Sequence, residues 1–398
     1  MDITIYPNKL NGTVRAIPSK SVAHRLLICA AFADRETVID CPDTNRDIEA
    51  TADCLNALGA TIMRTNDGYH VTPVHTIPEH ATLNCCESGS TLRFMLPIVG
   101  ALGIHGTFLM EGRLPQRPLS PLWDEMERMG CKLSRPTDSS IECIGQLQSG
   151  TFRIAGNVSS QYITGLLFAA ALLPGSTKID VVGNLESMPY VDMTLDALLK
   201  FGVKITDFSV NHSRPFLSPV HINVEGDWSN AAFFLAANAL GNTISVTHLN
   251  PDSVQGDRAI SDILPVLQEN CTISAADIPD LVPIMAVVAG AKHGAQFTDI
   301  RRLRLKESDR VKTVSDMLSA LGAESSSDEN TLTINPSNFH ACTIDAAGDH
   351  RIAMAAAIAA TVADGPVKIL GAQCVSKSYP GFWETYKELG GNYEQYIR

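Results

Sequence analysis

Apolar, helix-like segments alternate with short strand-like runs along the whole chain, and one kind of joint between them recurs six times. Each copy consists of an amphipathic helix end, a Gly or Asn, and a short run typical of a strand. The joints lie at Gly59, Gly130, Gly202, Asn270, Gly322 and Gly390. Gly, with Asn as second choice, lets a helix end through the left-handed backbone region. The spacings of 71, 72, 68, 52 and 68 residues predict six α/β units of about 66 residues, grouped as two domains of three.

The same pattern predicts individual elements and a binding property. Residues 152–154 and 178–182 have the character of strands, and residues 161–173 that of a long apolar helix. Polar or charged residues cluster just before each repeat helix, at 45–47, 113–117, 187–190, 257–258, 306–310 and 376–379. Helix N-termini attract anions because their free N–H groups carry partial positive charge. We therefore expect several of these helix starts to bind anions.

Composition narrows the class of protein. The chain has 398 residues, enough for two domains, with 45% hydrophobic residues, 19% charged residues and a formal net charge of −12. This charge argues against nucleic acid or an anionic membrane as the main partner. No apolar stretch approaches the length of about 18 residues that a membrane span needs, and the first residues do not resemble a signal peptide. We expect a cytoplasmic protein.

The cysteines point to a reducing environment and to no metal site. All ten are scattered along the chain, and none forms a Cys-x-x-Cys pair. Such a distribution favours reduced, mostly buried thiols over a framework of disulfides. A zinc site would need Cys and His clustered at the spacings of metal ligands, and the sequence has no such cluster. The sequence therefore predicts no bound metal.

Five short polar segments are candidates for binding or catalysis. Each stands at the start of a predicted helix: residues 19–25, 87–93, 159–161, 304–310 and 349–351. Lys20 and Arg93 supply cations for an anionic ligand, and Gly89 permits close approach of the backbone. Ser19 or Ser21 can cap the first helix. Taken singly, each segment is explained as well by a plain helix cap or a solvated charge run.

Eight motifs occur in a fixed order along the chain. They are Ser-Lys-Ser-x-x-His-Arg at 19–25, Gly89-Ser90-x-x-Arg93, Arg113-x-x-x-Arg117-Pro118-Leu119, Ser159-Ser160-Gln161, Ile278-Pro279-Asp280, Lys306-Glu307-Ser308-Asp309-Arg310, Asp349-His350-Arg351-Ile352-Ala353-Met354 and Ser376-Lys377-x-Tyr379-Pro380. Each motif alone is modest, but the ordered set resembles the EPSP synthase family of enolpyruvyl transferases. The resemblance covers nearly the whole chain.

The resemblance implies a fold of class α/β (α+β). The family fold is a two-domain inside-out α/β barrel with six βαβαββ repeats, three in each domain, which agrees with the repeats counted above. Residues 1–17 plus 226–398 are expected to form one domain and residues 18–225 the other. The resemblance also places the active site in the cleft between the domains.

The resemblance further implies the substrates and the residues that bind them. The substrates are phosphoenolpyruvate and shikimate-3-phosphate. Expected contacts to shikimate-3-phosphate are Lys20, Ser21, Arg25, Ser159, Ser160, Gln161, Ser187, Tyr190, Asp280 and Lys306. Expected contacts to phosphoenolpyruvate are Lys20, Gly89, Arg93, Arg117, Gln161, Arg310, His350, Arg351 and Lys377. Among these, Asp280 resembles the carboxylate that accepts the proton of the 5-hydroxyl, while Glu307 and Lys20 resemble the groups that move protons at the enolpyruvyl methylene and bridging oxygen.

The implied reaction needs proton transfer and anion binding, with no metal or organic cofactor. It adds the hydroxyl to the donor, passes through a tetrahedral phosphate-bearing intermediate, and then eliminates phosphate. The family resemblance implies a monomer acting on small molecules in the biosynthesis of chorismate and aromatic amino acids. Two alternatives remain open, a UDP-N-acetylglucosamine enolpyruvyl transferase and an inactive binding protein of the same fold. The first usually has a Cys in a mobile loop, whereas residues 110–120 contain none.

Three positions depart from the usual pattern of the family. Pro18 replaces a Gly, Ser90 replaces the common Thr, and Glu87 stands where a neutral Asn is usual. Of these, Glu87 has the clearest physical consequence, because a carboxylate beside the phosphoenolpyruvate site would repel that anion. We therefore expect Glu87 either to pair with an Arg or to turn away from the site.

Overall fold

The computed structural model describes residues 1–211 and 216–396 and divides into two compact units. The continuous unit is Pro18–Glu225, and the split unit consists of Met1–Ile17 together with Gly226–Arg398. Each unit has its own cluster of buried apolar side chains. Across the described ranges, no helix is long and apolar enough to span a bilayer.

Twelve α-helices lie within the described residues. They are α1 Lys20–Ala31, α2 Arg46–Ala57, α3 Gly89–Leu102, α4 Leu122–Arg128, α5 Ser160–Leu172, α6 Met188–Lys200, α7 Trp228–Ala239, α8 Ile260–Val266, α9 Val282–Ala291, α10 Arg310–Ala320, α11 His350–Ala359 and α12 Phe382–Glu388. The helix predicted at 161–173 is confirmed as α5 to within a residue at each end, which is the usual uncertainty of helix boundaries.

Twenty-one strands accompany these helices in the same part of the chain. They are β1 Asp2–Tyr6, β2 Asn11–Arg15, β3 Thr37–Asp40, β4 Thr61–Arg64, β5 Gly68–Thr72, β6 His80–Asn84, β7 His105–Leu109, β8 Cys131–Ser134, β9 Ser140–Gly145, β10 Thr151–Ala155, β11 Thr177–Val182, β12 Ser209–Val210, β13 His221–Asn223, β14 Thr243–Thr247, β15 Cys271–Ser274, β16 Ala295–Thr298, β17 Ser325–Ser327, β18 Thr331–Ile334, β19 Cys342–Asp345, β20 Val367–Leu370 and β21 Asn392–Tyr396. Strands β10 and β11 confirm the two strand predictions.

The helices come in six consecutive pairs, and each pair accompanies one β-sheet. In the continuous unit the sheets have the strand orders β13-β3-β5-β4, β6-β7-β9-β8 and β10-β11-β12. In the split unit they have the orders β2-β14, β15-β16-β18-β17 and β19-β20-β1-β21. The second and fifth sheets are complete βαβαββ units in chain order, with two parallel strands joined through a helix and an antiparallel hairpin at the other side. The predicted α/β class with repeated units is confirmed.

Two sheets are smaller than the four strands that the repeat predicts. After α8 the described chain has no hairpin, because the next strand, β15, is already the first strand of the fifth sheet. This explains why the joint at Gly322 follows Asn270 after only 52 residues. The third sheet has three strands, because β13 leaves its own repeat and pairs with β3 of the first.

The glycines of the repeated joints have the backbone conformation that the sequence predicts, whereas Asn270 does not. Gly59, Gly130, Gly202, Gly322 and Gly390 have φ values between 77° and 115°. Asn270 is not among the residues with positive φ. Helix α8 already ends at Val266, so Asn270 lies beyond the helix end and has no left-handed cap to supply. The prediction of a left-handed cap was wrong at this one joint.

Candidate active site

In the continuous unit, the first helix begins with an ion pair rather than with a serine cap. Lys20 is the first residue of α1, and its Nζ lies 2.9 Å from Oδ2 of Asp47 in the first turn of α2. Ser19 occupies the N-cap position, but its side chain makes no capping hydrogen bond, so that part of the prediction was wrong. Sequence reasoning quoted Asp47 only as one of the polar residues that precede a helix and missed its contact with Lys20.

Arg25 joins α1 to α6 and is almost completely buried. Its Nε donates to Thr194 Oγ1 at 2.9 Å, and its two terminal nitrogens donate to the carbonyl oxygens of Ser21 at 2.6 Å and Tyr190 at 2.7 Å. Burial lowers the pKa of Arg25 to about 10, so the group remains a cation at neutral pH. The structure thereby brings together three predicted site residues, Ser21, Arg25 and Tyr190.

Ser187 stands just before α6 and has an unusual backbone conformation. It is buried, and its φ of 58° lies in the left-handed region. A residue other than Gly pays about 1–3 kcal/mol for such a conformation, and residues of this kind occur preferentially at functional sites. This conformation makes Ser187 a candidate functional residue, and its contact with the substrate stays a prediction.

A second cluster forms where α3 and α5 begin. Arg93 Nη1 donates to Oε1 of Gln161 at 3.1 Å, and Gln161 Nε2 donates to Ser90 Oγ at 3.0 Å. A Cβ atom on Gly89 would lie 2.5 Å from Nη1 of Arg93 and 2.7 Å from Nη1 of Arg117. Both guanidinium groups therefore lie against the bare backbone at the start of α3. This arrangement combines two fixed cations with a helix N-terminus, which is suited to an anion.

Close packing of α5 on α3 keeps these groups together. A Cβ atom on Gly165 would collide with the backbone carbonyl oxygen of Arg93. Only Gly therefore lets α5 approach closely enough for Gln161 to reach Arg93. At the start of α5, the Ser159 hydroxyl accepts a hydrogen bond from the Gln161 amide at 3.3 Å, which agrees with the cap interpretation of that segment. Ser160, the first residue of the helix, is buried.

The carboxylate of Glu87 lies against the turn at Gly112. It fills the space beside the Cα atom of Gly112, so that any side chain at position 112 would collide with it. Gly112 has a φ of 54°, and the turn that it forms lies between β7 and Leu114. The Glu87 carboxylate therefore adjoins the loop that follows β7.

In the split unit, Arg310 lies at the centre of a cluster of three carboxylates. Its Nε donates to Asp349 Oδ2 at 2.9 Å, while its terminal nitrogens donate to Asp280 Oδ1 and to Glu307 Oε2, both at 2.6 Å. The side chain of Arg310 is only 1% exposed. Sequence reasoning expected Arg310 to contact phosphoenolpyruvate and did not foresee Asp349 as its partner, although Asp349 was part of a recognised motif.

Asp280 accepts hydrogen bonds or ion pairs from three cations. Besides Arg310, Arg351 Nη2 lies 2.9 Å from its Oδ2 and Lys306 Nζ lies 3.4 Å from its Oδ1. Burial alone would raise the pKa of Asp280. The surrounding cations reverse this and hold the pKa well below its usual range, with Arg351 the strongest, followed by Lys306 and Arg310. Asp280 is therefore an ionised carboxylate.

Two further groups of this cluster have shifted pKa values. Burial lowers the pKa of Lys306 to about 8, although the negative charge of Asp280 opposes the shift. Burial, with the charge of Asp280 added to it, raises the pKa of Asp257 to about 7. Sequence reasoning noted Asp257 only as a polar residue before a helix. Its burial, which no local pattern reveals, is what makes it a titratable neighbour of Asp280.

Two further predicted residues of the split unit lie at the ends of helices. His350 is buried at the start of α11, with Nδ1 3.9 Å from Oδ1 of Asp349. Lys377 is half-buried at the end of the short 3-10 helix Ala372–Lys377. Within residues 1–211 and 216–396, no group of three or more His, Cys, Asp or Glu side chains is arranged to hold a metal ion. All ten cysteines are free thiols, six of them buried, as the sequence predicts.

Several known proteins with similar sequences share one description. The family model described as EPSP synthase (3-phosphoshikimate 1-carboxyvinyltransferase) matches residues 5–277 and 268–386. A 3-phosphoshikimate 1-carboxyvinyltransferase from Clostridium kluyveri is 39% identical, with 99% of this chain and 98% of the relative covered. One from Clostridium beijerinckii is 36% identical, with 99% of both covered.

Two solved structures have the same fold. An EPSP synthase from Acinetobacter baumannii has a TM-score of 0.80 at 21% identity, with both chains covered completely. The enolpyruvyl transferase NikO from Streptomyces tendae has a TM-score of 0.74 at 18% identity, with 99% of this chain and 98% of NikO covered. The match of the family model and the full-length relatives confirm the resemblance, and the chain belongs to the EPSP synthase (3-phosphoshikimate 1-carboxyvinyltransferase) family.

Proposed function

We propose that this chain transfers the enolpyruvyl group of phosphoenolpyruvate to the 5-hydroxyl of shikimate-3-phosphate. The products are 5-enolpyruvylshikimate-3-phosphate and phosphate, and the reaction serves the biosynthesis of chorismate and aromatic amino acids. The observation that carries the proposal is the full-length match, at 39% identity, to a 3-phosphoshikimate 1-carboxyvinyltransferase. The charged clusters described above supply the residues for the chemistry.

Asp280 is the proposed base for the 5-hydroxyl. It is ionised, and only 16% of its side chain is exposed. The three cations that keep it ionised also make it a weak base. An anionic substrate that binds to Arg351 or Lys306 neutralises part of their charge and so raises the pKa of Asp280. In this way substrate binding would itself increase the basicity of the carboxylate when the proton has to move.

Glu307 and Lys20 are the proposed groups for the other proton transfers. Glu307 is fixed by Arg310 at 2.6 Å, and Lys20 by Asp47 at 2.9 Å. One of them protonates the methylene carbon of the donor, and removal of a proton with loss of phosphate then restores the double bond. Each group makes a short ion pair near a helix start, and an anionic substrate can compete for the cation of that pair.

The other proposed contacts hold the two anionic substrates. Phosphoenolpyruvate is expected at Gly89, Arg93, Arg117, Gln161, Arg310, His350, Arg351 and Lys377. Shikimate-3-phosphate is expected at Ser21, Arg25, Ser159, Ser160, Gln161, Ser187, Tyr190 and Lys306. Positioning and charge stabilisation of this kind, with two proton transfers, require no metal or organic cofactor. We propose that the protein acts as a monomer in the cytoplasm, and light scattering of the purified chain tests the monomer.

A phosphate-release assay tests the proposed activity. Purified protein mixed with phosphoenolpyruvate and shikimate-3-phosphate is expected to release phosphate, with 5-enolpyruvylshikimate-3-phosphate formed in equal amount. Neither substrate alone is expected to give release. Turnover with UDP-N-acetylglucosamine in place of shikimate-3-phosphate, and none with shikimate-3-phosphate, would contradict the proposal.

The pKa of Lys306 predicts a pH dependence for shikimate-3-phosphate. Below about pH 8 the ammonium group is charged and attracts the substrate, and above it the group loses its proton. The KM for shikimate-3-phosphate is therefore expected to rise between about pH 8 and pH 9.5. In Lys306→Arg the rise is expected to disappear, because a guanidinium keeps its proton throughout this range. If the KM of Lys306→Arg rises over this pH range as it does in the unmodified protein, the role of Lys306 is contradicted.

Replacement of Gly89 is expected to weaken binding of phosphoenolpyruvate. In Gly89→Ala the new Cβ must displace the ends of Arg93 and Arg117, which are flexible enough for the fold to survive. Loss of a well-placed hydrogen bond to a charged group costs about 1.5–3 kcal/mol, so the KM for phosphoenolpyruvate should rise about 10- to 100-fold. Gly381→Ala is the control, because its Cβ would meet only one atom, at 4.0 Å. A KM shift in the control alone would count against the argument.

A further inference from the structure

A chain of buried polar side chains joins three helices of the continuous unit. His24 Nδ1 on α1 lies 2.7 Å from Thr51 Oγ1 on α2, and Thr51 Oγ1 lies 2.7 Å from Thr91 Oγ1 on α3. Thr91 Oγ1 in turn donates to Ser88 Oγ at 2.7 Å. All four side chains are at most 1% exposed. None of them has a part in the proton transfers or in the substrate contacts proposed above.

The hydrogen atoms available to this chain determine its direction. Each hydroxyl has a single hydrogen to donate. Thr91 gives its hydrogen to Ser88 at 2.7 Å, and the carbonyl oxygen of Asp47 is a more distant acceptor at 3.4 Å. Either way, Thr91 must accept a hydrogen from Thr51. Thr51 must then accept from His24, which places the imidazole hydrogen on Nδ1. The hydrogen bonds therefore run in one direction, from His24 through Thr51 and Thr91 to Ser88.

The surroundings of His24 support this tautomer. Its Nε2 is buried and has no hydrogen-bond partner among the described residues. With the hydrogen on Nδ1, the orphaned atom is a lone pair rather than an unsatisfied N–H donor. The His24 ring also makes an edge-to-face contact with the ring of Phe94. Burial lowers the pKa of His24 to about 3, so the ring is neutral at any pH at which the protein works.

The end of the chain determines how α3 begins. Ser88 is the N-cap of α3, and its Oγ accepts the amide N–H of Thr91 at 3.2 Å. Within the described part of the molecule, the amides of Gly89 and Ser90 make no hydrogen bond. These two amides precede the capped one at the helix N-terminus. Since Arg93 and Arg117 lie against Gly89, the two free amides and the two guanidinium groups adjoin one another.

We infer that His24 is a positioning residue for phosphoenolpyruvate. His24 acts through Thr51, Thr91 and Ser88, and these fix the free amides at the start of α3. The inference rests on the proposed function, because it assigns the start of α3 to the donor substrate. His24 orients each hydroxyl of the chain, and the chain holds the cap against α1 and α2. Without His24 the hydroxyl of Thr51 can turn, and the cap loses its fixed orientation.

Two pairs of matched variants test the inference. His24→Leu removes the ring nitrogen, whereas His24→Asn has a similar shape and can place an amide N–H near Nδ1. Thr51→Val removes the hydroxyl at nearly constant volume, whereas Thr51→Ser keeps it. For each variant, kcat, the KM for each substrate and the melting temperature are measured.

His24→Leu and Thr51→Val are expected to raise the KM for phosphoenolpyruvate about tenfold. The KM for shikimate-3-phosphate is expected to stay within about twofold of that of the unmodified protein, and kcat is expected to change little. His24→Asn and Thr51→Ser are expected to stay near the unmodified protein.

A control variant separates positioning from stability. Thr37 is a buried residue of the same unit, and its hydroxyl is 2.7 Å from Ser218 Oγ. Thr37→Val is expected to lower the melting temperature without changing either KM. A merely structural role for His24 would give the same result in His24→Leu and Thr51→Val, and that outcome would overturn the inference. An equal rise of both KM values, or a failure of the two conservative variants to rescue, would also overturn it.

Two other results still leave the inference testable: His24→Leu that does not fold, and unmodified protein that releases no phosphate. If His24→Leu does not fold, the comparison of Thr51→Val with Thr51→Ser decides alone, because both keep the imidazole. If the unmodified protein releases no phosphate from the two substrates, the proposed function fails while the inference is still testable. Calorimetric titration with phosphoenolpyruvate must then show weaker binding to Thr51→Val than to Thr51→Ser, and equal binding would overturn the inference.

Discussion

Replacing Asp280 by Asn is expected to lower kcat by about 10²- to 10⁴-fold while the protein stays folded. This is the usual contribution of a general base. The amide keeps the shape of the side chain, and its single oxygen can still accept a hydrogen bond from Arg310 or from Arg351, but it cannot take a proton from the substrate hydroxyl. Phosphate release at saturating concentrations of both substrates measures the effect. Glu307→Gln is expected to give a loss of similar size, because it removes an acid–base group without changing its size.

The control for these variants is the same kind of substitution, Asp to Asn, at an exposed position of the same unit. Asp316→Asn removes an exposed carboxylate of the same unit, which forms a surface ion pair with Lys312. It is expected to leave kcat and both KM values unchanged, since surface pairs contribute little. Near-normal turnover in both Asp280→Asn and Glu307→Gln would remove the proton-transfer roles proposed for these residues.

Replacing Arg310 by Met is expected to destabilise the split unit as well as to abolish activity. The variant leaves Asp280, Glu307 and Asp349 close together without the cation between them, and Asp349 is completely buried. Removing one partner of a buried ionic network costs about 3–5 kcal/mol. For a unit of this size the melting temperature should fall by about 10 °C. Calorimetry or circular dichroism at pH 7 measures the shift.

Because the instability comes from uncompensated negative charge, it should lessen in acid. Near pH 4.5 carboxylates that have lost their cation begin to protonate, so the difference from the unmodified protein should narrow there. The control is Arg301→Met, which removes an exposed Arg of the same unit whose ion pair with Glu329 is 3.5 Å long. That variant is expected to change stability by at most about 0.5 kcal/mol. An equal effect of the two substitutions would contradict the central role of Arg310.

Local features of this fold were predictable, and long-range pairings were not. The glycine joints, the apolar helix α5 and strands β10 and β11 follow from sequence patterns that span a few neighbouring residues. That β13 joins the first sheet, or that no hairpin follows α8, depends on pairing between distant segments, and no periodicity records it. Asn270 shows the same limit, since it resembles a helix cap in sequence but lies after a helix that has already ended.

The candidate site shows a similar division. Motifs identified Arg310 and Lys20 because charged residues at helix starts are visible in the sequence. Their partners, Asp349 and Asp47, come from other helices, and the contact exists only after packing. For Arg310 the partners change the interpretation, because a guanidinium that is 1% exposed and bonded to three carboxylates holds the cluster together. A ligand reaches it only if one of those carboxylates gives way.

The pairing of β1 has a consequence for the order in which the protein can fold during synthesis. Strand β1 lies between β20 and β21 in the sixth sheet, and β2 pairs with β14. The continuous unit has all of its described strands once β13 has left the ribosome. The first strand of the chain must wait for β20, the earlier of its two partners, which at 5–20 residues per second takes a further 7–30 s or so. During that time β1 is an apolar segment without partners, so the nascent chain has to be protected at the end that was made first.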